Sequence, residues 1–155
     1  MRLLKRPIYF SFLLVVIAVP SVAQHSPDGR LVTPDEIREG LTTDGSRWVT
    51  FGGDYNNQRH SPLTQITPEN VHELVPQWTF QTNVLEKFET TTLYRDNVLY
   101  VTGPLNTAWA LDARSGRPFW EYRRELPEFL TACCGLVNRG FAMMGDKLYM
   151  VTLDA

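Results

Sequence analysis

Two stretches of this chain repeat one another. Asp96-Asn97-Val98-Leu99-Tyr100-Val101-Thr102 is echoed by Asp146-Lys147-Leu148-Tyr149-Met150-Val151-Thr152, and Leu111-Asp112-Ala113 by Leu153-Asp154-Ala155. A repeat comes before any single residue, because it dictates the architecture. Tyr100 and Tyr149 stand 49 positions apart, close to the period of propeller blades, in which four short strands make one sheet and the sheets stack around an axis. Each copy opens on a turn, Asp96-Asn97 or Gly145-Asp146, and runs into β-branched and aromatic residues suited to a pleated strand. The expected class is all-β, a β-propeller, and an aromatic content of 12% suits that packing.

The run Ala110 to Trp120 sharpens the expectation. Asp112 to Gly116 has turn chemistry and joins a strand ending at Leu111 to one beginning near Pro118. Trp120 is then the apolar plug between adjacent blades; the alternative is a plain hairpin with a buried Trp. Upstream, Thr33-Pro34-Asp35-Glu36 predicts a short helix ending near Gly40, with a Thr cap, Pro at the first position and Glu where a capping box needs it. Trp48-Val49-Thr50-Phe51 reads as a strand broken by Gly52-Gly53, and Asp54 to Ser61 as a polar loop. Thr67-Pro68-Glu69-Asn70 repeats the cap logic before a helical turn through Leu74, and Gln77-Trp78-Thr79-Phe80 resumes extended structure.

Met1 to Ala23 reads as a secretory signal peptide. Arg2, Lys5 and Arg6 precede an apolar core over Ile8 to Val19, and Ser21-Val22-Ala23 supplies small residues for cleavage. The alternative, an uncleaved anchor, has an apolar run shorter than the ~20 residues a spanning helix needs. His25 to Arg30 is a loose polar leader. With 15 Lys plus Arg against 17 Asp plus Glu, the net charge of −2 gives no reason to expect a nucleic-acid or anionic-membrane partner. Contact with a membrane is expected only through the export signal, and the location is periplasmic.

Cys133 and Cys134 are the only two cysteines, and they are adjacent. Joined, they would close a ring across one peptide, where Cα atoms are about 3.8 Å apart, shorter than the usual disulfide span. Such a bridge removes little chain entropy, and strained bridges tend to be reducible or functional. Left reduced, the pair would be two small buried hydrophobes. Export to an oxidising compartment favours the bridge.

These residues resemble the pyrroloquinoline-quinone (PQQ)-dependent alcohol dehydrogenases of the methanol and ethanol dehydrogenase type. Ala110 to Trp120 is similar to their docking motif, Ala-x-Asp-x-x-Thr-Gly-x-x-x-Trp, with Ser115 in the Thr position. Trp48 to Leu63 resembles their N-terminal signature, and the adjacent cysteines followed by Leu136-Val137-Asn138-Arg139-Gly140 are the most specific mark. Gly135 stands where relatives often carry an acidic residue.

The resemblance implies an eight-bladed propeller of which only the first one to two blades are present. Residues 1–23 would be the signal peptide, 24–44 a leader with a short helix, and 45–155 a truncated N-terminal portion of the propeller. It also implies cofactor-binding roles for four residues. Cys133 and Cys134 would form a vicinal disulfide against one face of the quinone; Arg139 would lie near its carboxylates, and Glu89, in Phe88-Glu89-Thr90-Thr91-Thr92, would contact it.

The whole enzyme would oxidise a primary alcohol to an aldehyde, with an aspartate base and calcium, or a lanthanide, polarising the quinone, and would pass electrons to a cytochrome c. The base and the metal ligands are expected downstream of Ala155, so no catalytic or metal residue is assigned within the chain, and the piece alone is expected to be inactive. The rival readings are a non-catalytic propeller scaffold of the cell envelope and a PQQ-dependent sugar dehydrogenase.

Overall fold

A computed structural model describes residues 31–130 and 132–154 of the chain. The signal peptide over 1–23, the leader over 25–30 and the terminal Ala155 lie outside these residues. The first helix, α1 (Pro34–Glu39), has the expected ends. The Thr33 hydroxyl accepts from the Glu36 N–H at 3.1 Å, Pro34 fills the first turn, and the chain leaves through Gly40. Glu36 does more than a capping box asks: its carboxylate turns inward, 3.2 Å from Arg95 Nε and 3.8 Å from Arg47 Nη1.

Five strands form one antiparallel sheet in sequence order: β1 (Arg47–Trp48), β2 (Leu93–Arg95), β3 (Val98–Gly103), β4 (Thr107–Asp112) and β5 (Pro118–Arg123). Asp96 and Asn97 both take positive φ (50° and 66°), so β2 and β3 meet through a two-residue turn that matches strand twist. A separate hairpin, β6 (Ala142–Met144) and β7 (Lys147–Tyr149), turns through Gly145-Asp146 with Met144 opposite Lys147. The two copies of the repeat therefore fold alike, as a hairpin with a two-residue turn before its second strand. β2 to β5 make a complete four-stranded meander, and β6 and β7 begin another.

Three segments depart from the sequence expectation. The strand expected over 48–51 pairs only at Arg47 and Trp48, because the chain turns at Thr50, whose carbonyl accepts from Gly53 N–H at 3.1 Å. The helical turn is a 3-10 turn at Val71–Glu73. Asn70 preempts a longer helix by accepting from Thr67 N–H (2.8 Å) and donating to the Gln65 carbonyl (2.8 Å). Gln77 to Phe80 joins no strand; its Trp78 and Phe80 serve as packing groups.

The main core collects Val32 and Ile37 of the N-terminal segment, Val49, Leu93, and Met143 of the second hairpin, with Trp48, Tyr100, Phe141 and Leu148 packed around it. β4, the most buried strand, carries Trp109, against which Phe80 packs edge-on (5.8 Å) and Phe88 stacks (6.3 Å). Trp120, half-buried on β5, sits 6.5 Å from both Tyr100 and Phe141, between the sheet and the segment feeding β6. That is the expected place for a plug between consecutive blades.

Trp78 supplies a second plug that the sequence reading did not anticipate. Its indole donates to the Ala113 carbonyl at 3.1 Å and covers Gly116, where an added Cβ would fall 2.3 Å from the ring. Gly116 also has φ +70. Backbone conformation and lack of side chain are both required at this turn. Two further contacts tie the ends together: Val32 exchanges both backbone hydrogen bonds with Gly145 (2.9 and 2.8 Å), and Thr91 N–H donates to the Arg139 carbonyl (3.1 Å).

Candidate functional site

The cysteine loop runs from Ala132 to Gly140 and is held along its second half. The Leu136 carbonyl accepts from Leu105 N–H at 2.9 Å, which fastens the loop to the β3–β4 turn. Val137 and Asn138 are buried. The Asn138 amide donates to the Val151 carbonyl (2.9 Å) and accepts from Gly140 N–H (3.0 Å). Gly140 has no room for a side chain, since its Cβ would lie 2.9 Å from the Thr91 carbonyl oxygen. The first half is free by contrast. Cys133 and Cys134 are exposed, and no heavy atom comes within 4 Å of where a Cβ on Gly135 would project.

Within this chain both cysteines are exposed and, among the described residues, belong to no core cluster. Their sulfurs lie 3.0 Å apart as two thiols. The Cys134 thiol beside it pushes Cys133 above the ordinary thiol range, while the positive charge of Arg139 pulls partly the other way. Arg139 is therefore within electrostatic reach of the sulfur pair.

Glu89 arrives from a different part of the chain. It lies on an extended segment outside any strand, between Phe88, stacked on Trp109, and Thr90, whose hydroxyl meets the Thr102 hydroxyl at 2.8 Å. Those two anchors present its carboxylate to Arg139, with Oε2 3.0 Å from Nη2. Glu89, Arg139 and the sulfur pair are thus brought to one exposed face from two separate segments. The residues that the sequence reading missed are their supports, Asn138 and Thr90. An Asn beside the Arg-Gly pair and a threonine run after Glu89 were the available signals.

The profile for the PQQ family described as glucose/ethanol/alcohol dehydrogenase, β-propeller domain, matches residues 48–152. The chain belongs to this family. Quinoprotein alcohol dehydrogenase PedE of Pseudomonas putida is 37% identical over 142 residues, a match covering 90% of this chain and 22% of that protein. The 1-butanol dehydrogenase (quinone) of Thauera butanivorans is 39% identical over 149 residues, covering 93% and 24% respectively.

Among solved structures, the quinohemoprotein alcohol dehydrogenase from Comamonas testosteroni aligns over 77% of this chain and 18% of its own, with a TM-score of 0.69 and 31% identity. A europium-containing methanol dehydrogenase aligns over 69% and 19%, with a TM-score of 0.64 and 33% identity. The chain thus spans about a quarter or less of the curated relatives' length. Its β2–β5 meander is a blade of a PQQ-family propeller and β6–β7 belongs to the next.

The donor set suits the family's cofactor on chemical grounds. A planar quinone bearing carboxylates needs a flat, polarisable surface and a guanidinium, and this face offers two exposed sulfurs, Arg139 and open space over Gly135. Among the described residues, no three His, Cys, Asp or Glu side chains gather as a metal-ligand group.

Proposed function

We propose that this chain forms one wall of the PQQ site of an exported dehydrogenase that oxidises primary alcohols to aldehydes and delivers the electrons to a cytochrome c. The observation that carries the reading is the meeting of Glu89 with Arg139 at 3.0 Å on the loop that bears Cys133 and Cys134. In this reading, residues 1–23 direct export to the periplasm, where thiol–disulfide exchange with an oxidised dithiol carrier joins the two thiols as a vicinal disulfide, the carrier leaving as its dithiol with the two electrons and two protons. Bound there, the quinone supplies the two-electron acceptor for alcohol oxidation, with calcium or a lanthanide held by residues other than these.

The chain's own residues orient and shield. The sulfur pair gives the ring system a rigid, apolar floor. Arg139 offers a guanidinium to a cofactor carboxylate, and Glu89 keeps that guanidinium aimed. Neither residue is assigned a proton-transfer role, and the catalytic base lies outside this wall.

The test is dye-linked alcohol oxidation by the full-length protein, measured before and after adding PQQ with calcium or a lanthanide. A gain that requires both additions is expected for primary alcohols. A folded full-length protein that gains nothing sinks the enzymatic reading in favour of a scaffold, and a gain confined to sugars moves it to a sugar dehydrogenase.

A further inference from the structure

We propose that Asn138 is a positioning residue for this wall, a polar clip that fixes the backbone on both sides of Arg139 and so sets where the guanidinium stands relative to Glu89 and the sulfur pair. The inference rests on the PQQ-site reading only for its cofactor arm. It begins with a buried side-chain amide whose two ends are both used. Asn138 Nδ2 donates to the carbonyl of Val151, beyond β7, and Oδ1 accepts from Gly140 N–H. Arg139 lies between those two points, and its own carbonyl is taken by Thr91 N–H at 3.1 Å.

The peptide units around Arg139 are therefore held from three directions: by the second hairpin's continuation, by the loop itself, and by the segment that carries Glu89. One of its bonds joins the loop to the second blade and the other closes the loop on itself, and a carboxylate cannot replace the amide, because it has no N–H for the Val151 carbonyl. Leucine or alanine there would remove both bonds, which lie in part-buried surroundings, and release the backbone on either side of Arg139. The clip also explains why an exposed arginine, 63% accessible along its side chain, can hold one direction. Its root is fixed although its tip is in water.

The experiment compares wild type with Asn138→Asp in the full protein, using Met143→Ala, a core change away from the wall, as the control for plain loss of stability. After reduction, alkylation of Cys133 is followed against pH by peptide mapping. The charged groups acting on that thiol are Cys134 and Arg139, with Glu89 paired to the latter. Displacing the arginine charge removes an influence that favours the thiolate, so the midpoint is expected to move to higher pH; because Asp adds a negative charge of its own, the uncharged Asn138→Ser must show a shift in the same direction. Met143→Ala should leave the midpoint in place. In the cofactor arm, quenching of tryptophan fluorescence by added PQQ should show affinity about tenfold weaker in Asn138→Asp.

An unchanged Cys133 profile together with unchanged PQQ affinity overturns the clip. A wild type that binds no PQQ while the alkylation shift persists refutes the cofactor reading and leaves the clip standing. Should Asn138→Asp fail to fold, Asn138→Ser is read in the same way. Hydrogen exchange at the Gly140 amide of the unmodified protein serves as the arm independent of substitution. Slow exchange is expected there, and exchange as fast as at Gly135 overturns the proposal.

Discussion

At the scale of single residues, the wall separates stability from binding. The Arg139–Glu89 pair is largely exposed, with side chains 63% and 38% accessible, and such pairs are worth about 0–1 kcal/mol to folding. Arg139→Ala and Glu89→Gln are therefore expected to melt within a degree or two of wild type, about the resolution of a small change in free energy, while PQQ affinity falls, steeply for the arginine and less for the glutamate. Differential scanning calorimetry beside a fluorescence titration checks both halves, and a large loss of melting temperature in either variant would show that the pair is a structural tie instead. Arg139→Lys should recover little, since a point charge does not reproduce a planar fork. Cys133, Cys134 and Arg139 stand out in the sequence because cysteine adjacency and the Asn-Arg-Gly run are local patterns. Glu89 entered only through the resemblance, as a cofactor contact, and its meeting with Arg139 was not anticipated, because no local rule couples segments brought together by folding.

At the scale of elements, the β4–β5 turn concentrates several demands. Asp112 accepts from the N–H groups of Arg114 (2.7 Å) and Ser115 (3.0 Å), and those bonds hold its carboxyl below the ordinary range. A carboxylate with a depressed folded pKa contributes stability that is complete above its unfolded pKa and is lost as pH falls through the folded one. Asp112→Asn should therefore narrow the stability gap between neutral and strongly acidic pH, and an NMR titration should place the wild-type Asp112 midpoint below that of an unstructured peptide. In the same turn, Gly116→Ala meets both a left-handed backbone and the Trp78 ring, so a loss of about 2–4 kcal/mol in urea denaturation is expected. Trp78→Phe, which keeps an aromatic ring but loses the N–H bonded to Ala113 together with part of the indole's bulk, should cost about 1–2 kcal/mol. The turn itself was readable from Asp112 to Gly116; its upstream lid was not. Contacts such as Trp78 with Ala113, 35 positions apart, follow from how the chain returns, which composition and spacing leave open.

At the scale of the whole molecule, the N-terminal helix is built into the first blade. Glu36 and Arg95 are both buried, at 8% and 4% exposure, and Arg47 reaches the same carboxylate while pairing with Glu39 at 2.9 Å. Glu36→Gln takes a buried charge-assisted partner from Arg95, which keeps Asp96 at 3.3 Å, and is expected to cost about 1.5–3 kcal/mol in chemical denaturation, more than any exposed pair here. A cost near zero would mean that the arginines are satisfied without it. The cap of that helix was evident from Thr33-Pro34, whereas the inward turn of Glu36 depends on Arg95, a partner supplied by a distant strand. The reciprocal pairing of Val32 with Gly145 carries the same long-range logic into time. It closes a span of about a hundred residues, a costly loop that only the surrounding packing can repay. During synthesis, the N-terminal segment has no Gly145 to pair with until nearly all of these residues have been made. Its docking is accordingly later than the closing of the β2–β3 and β3–β4 hairpins, whose partners lie close in sequence.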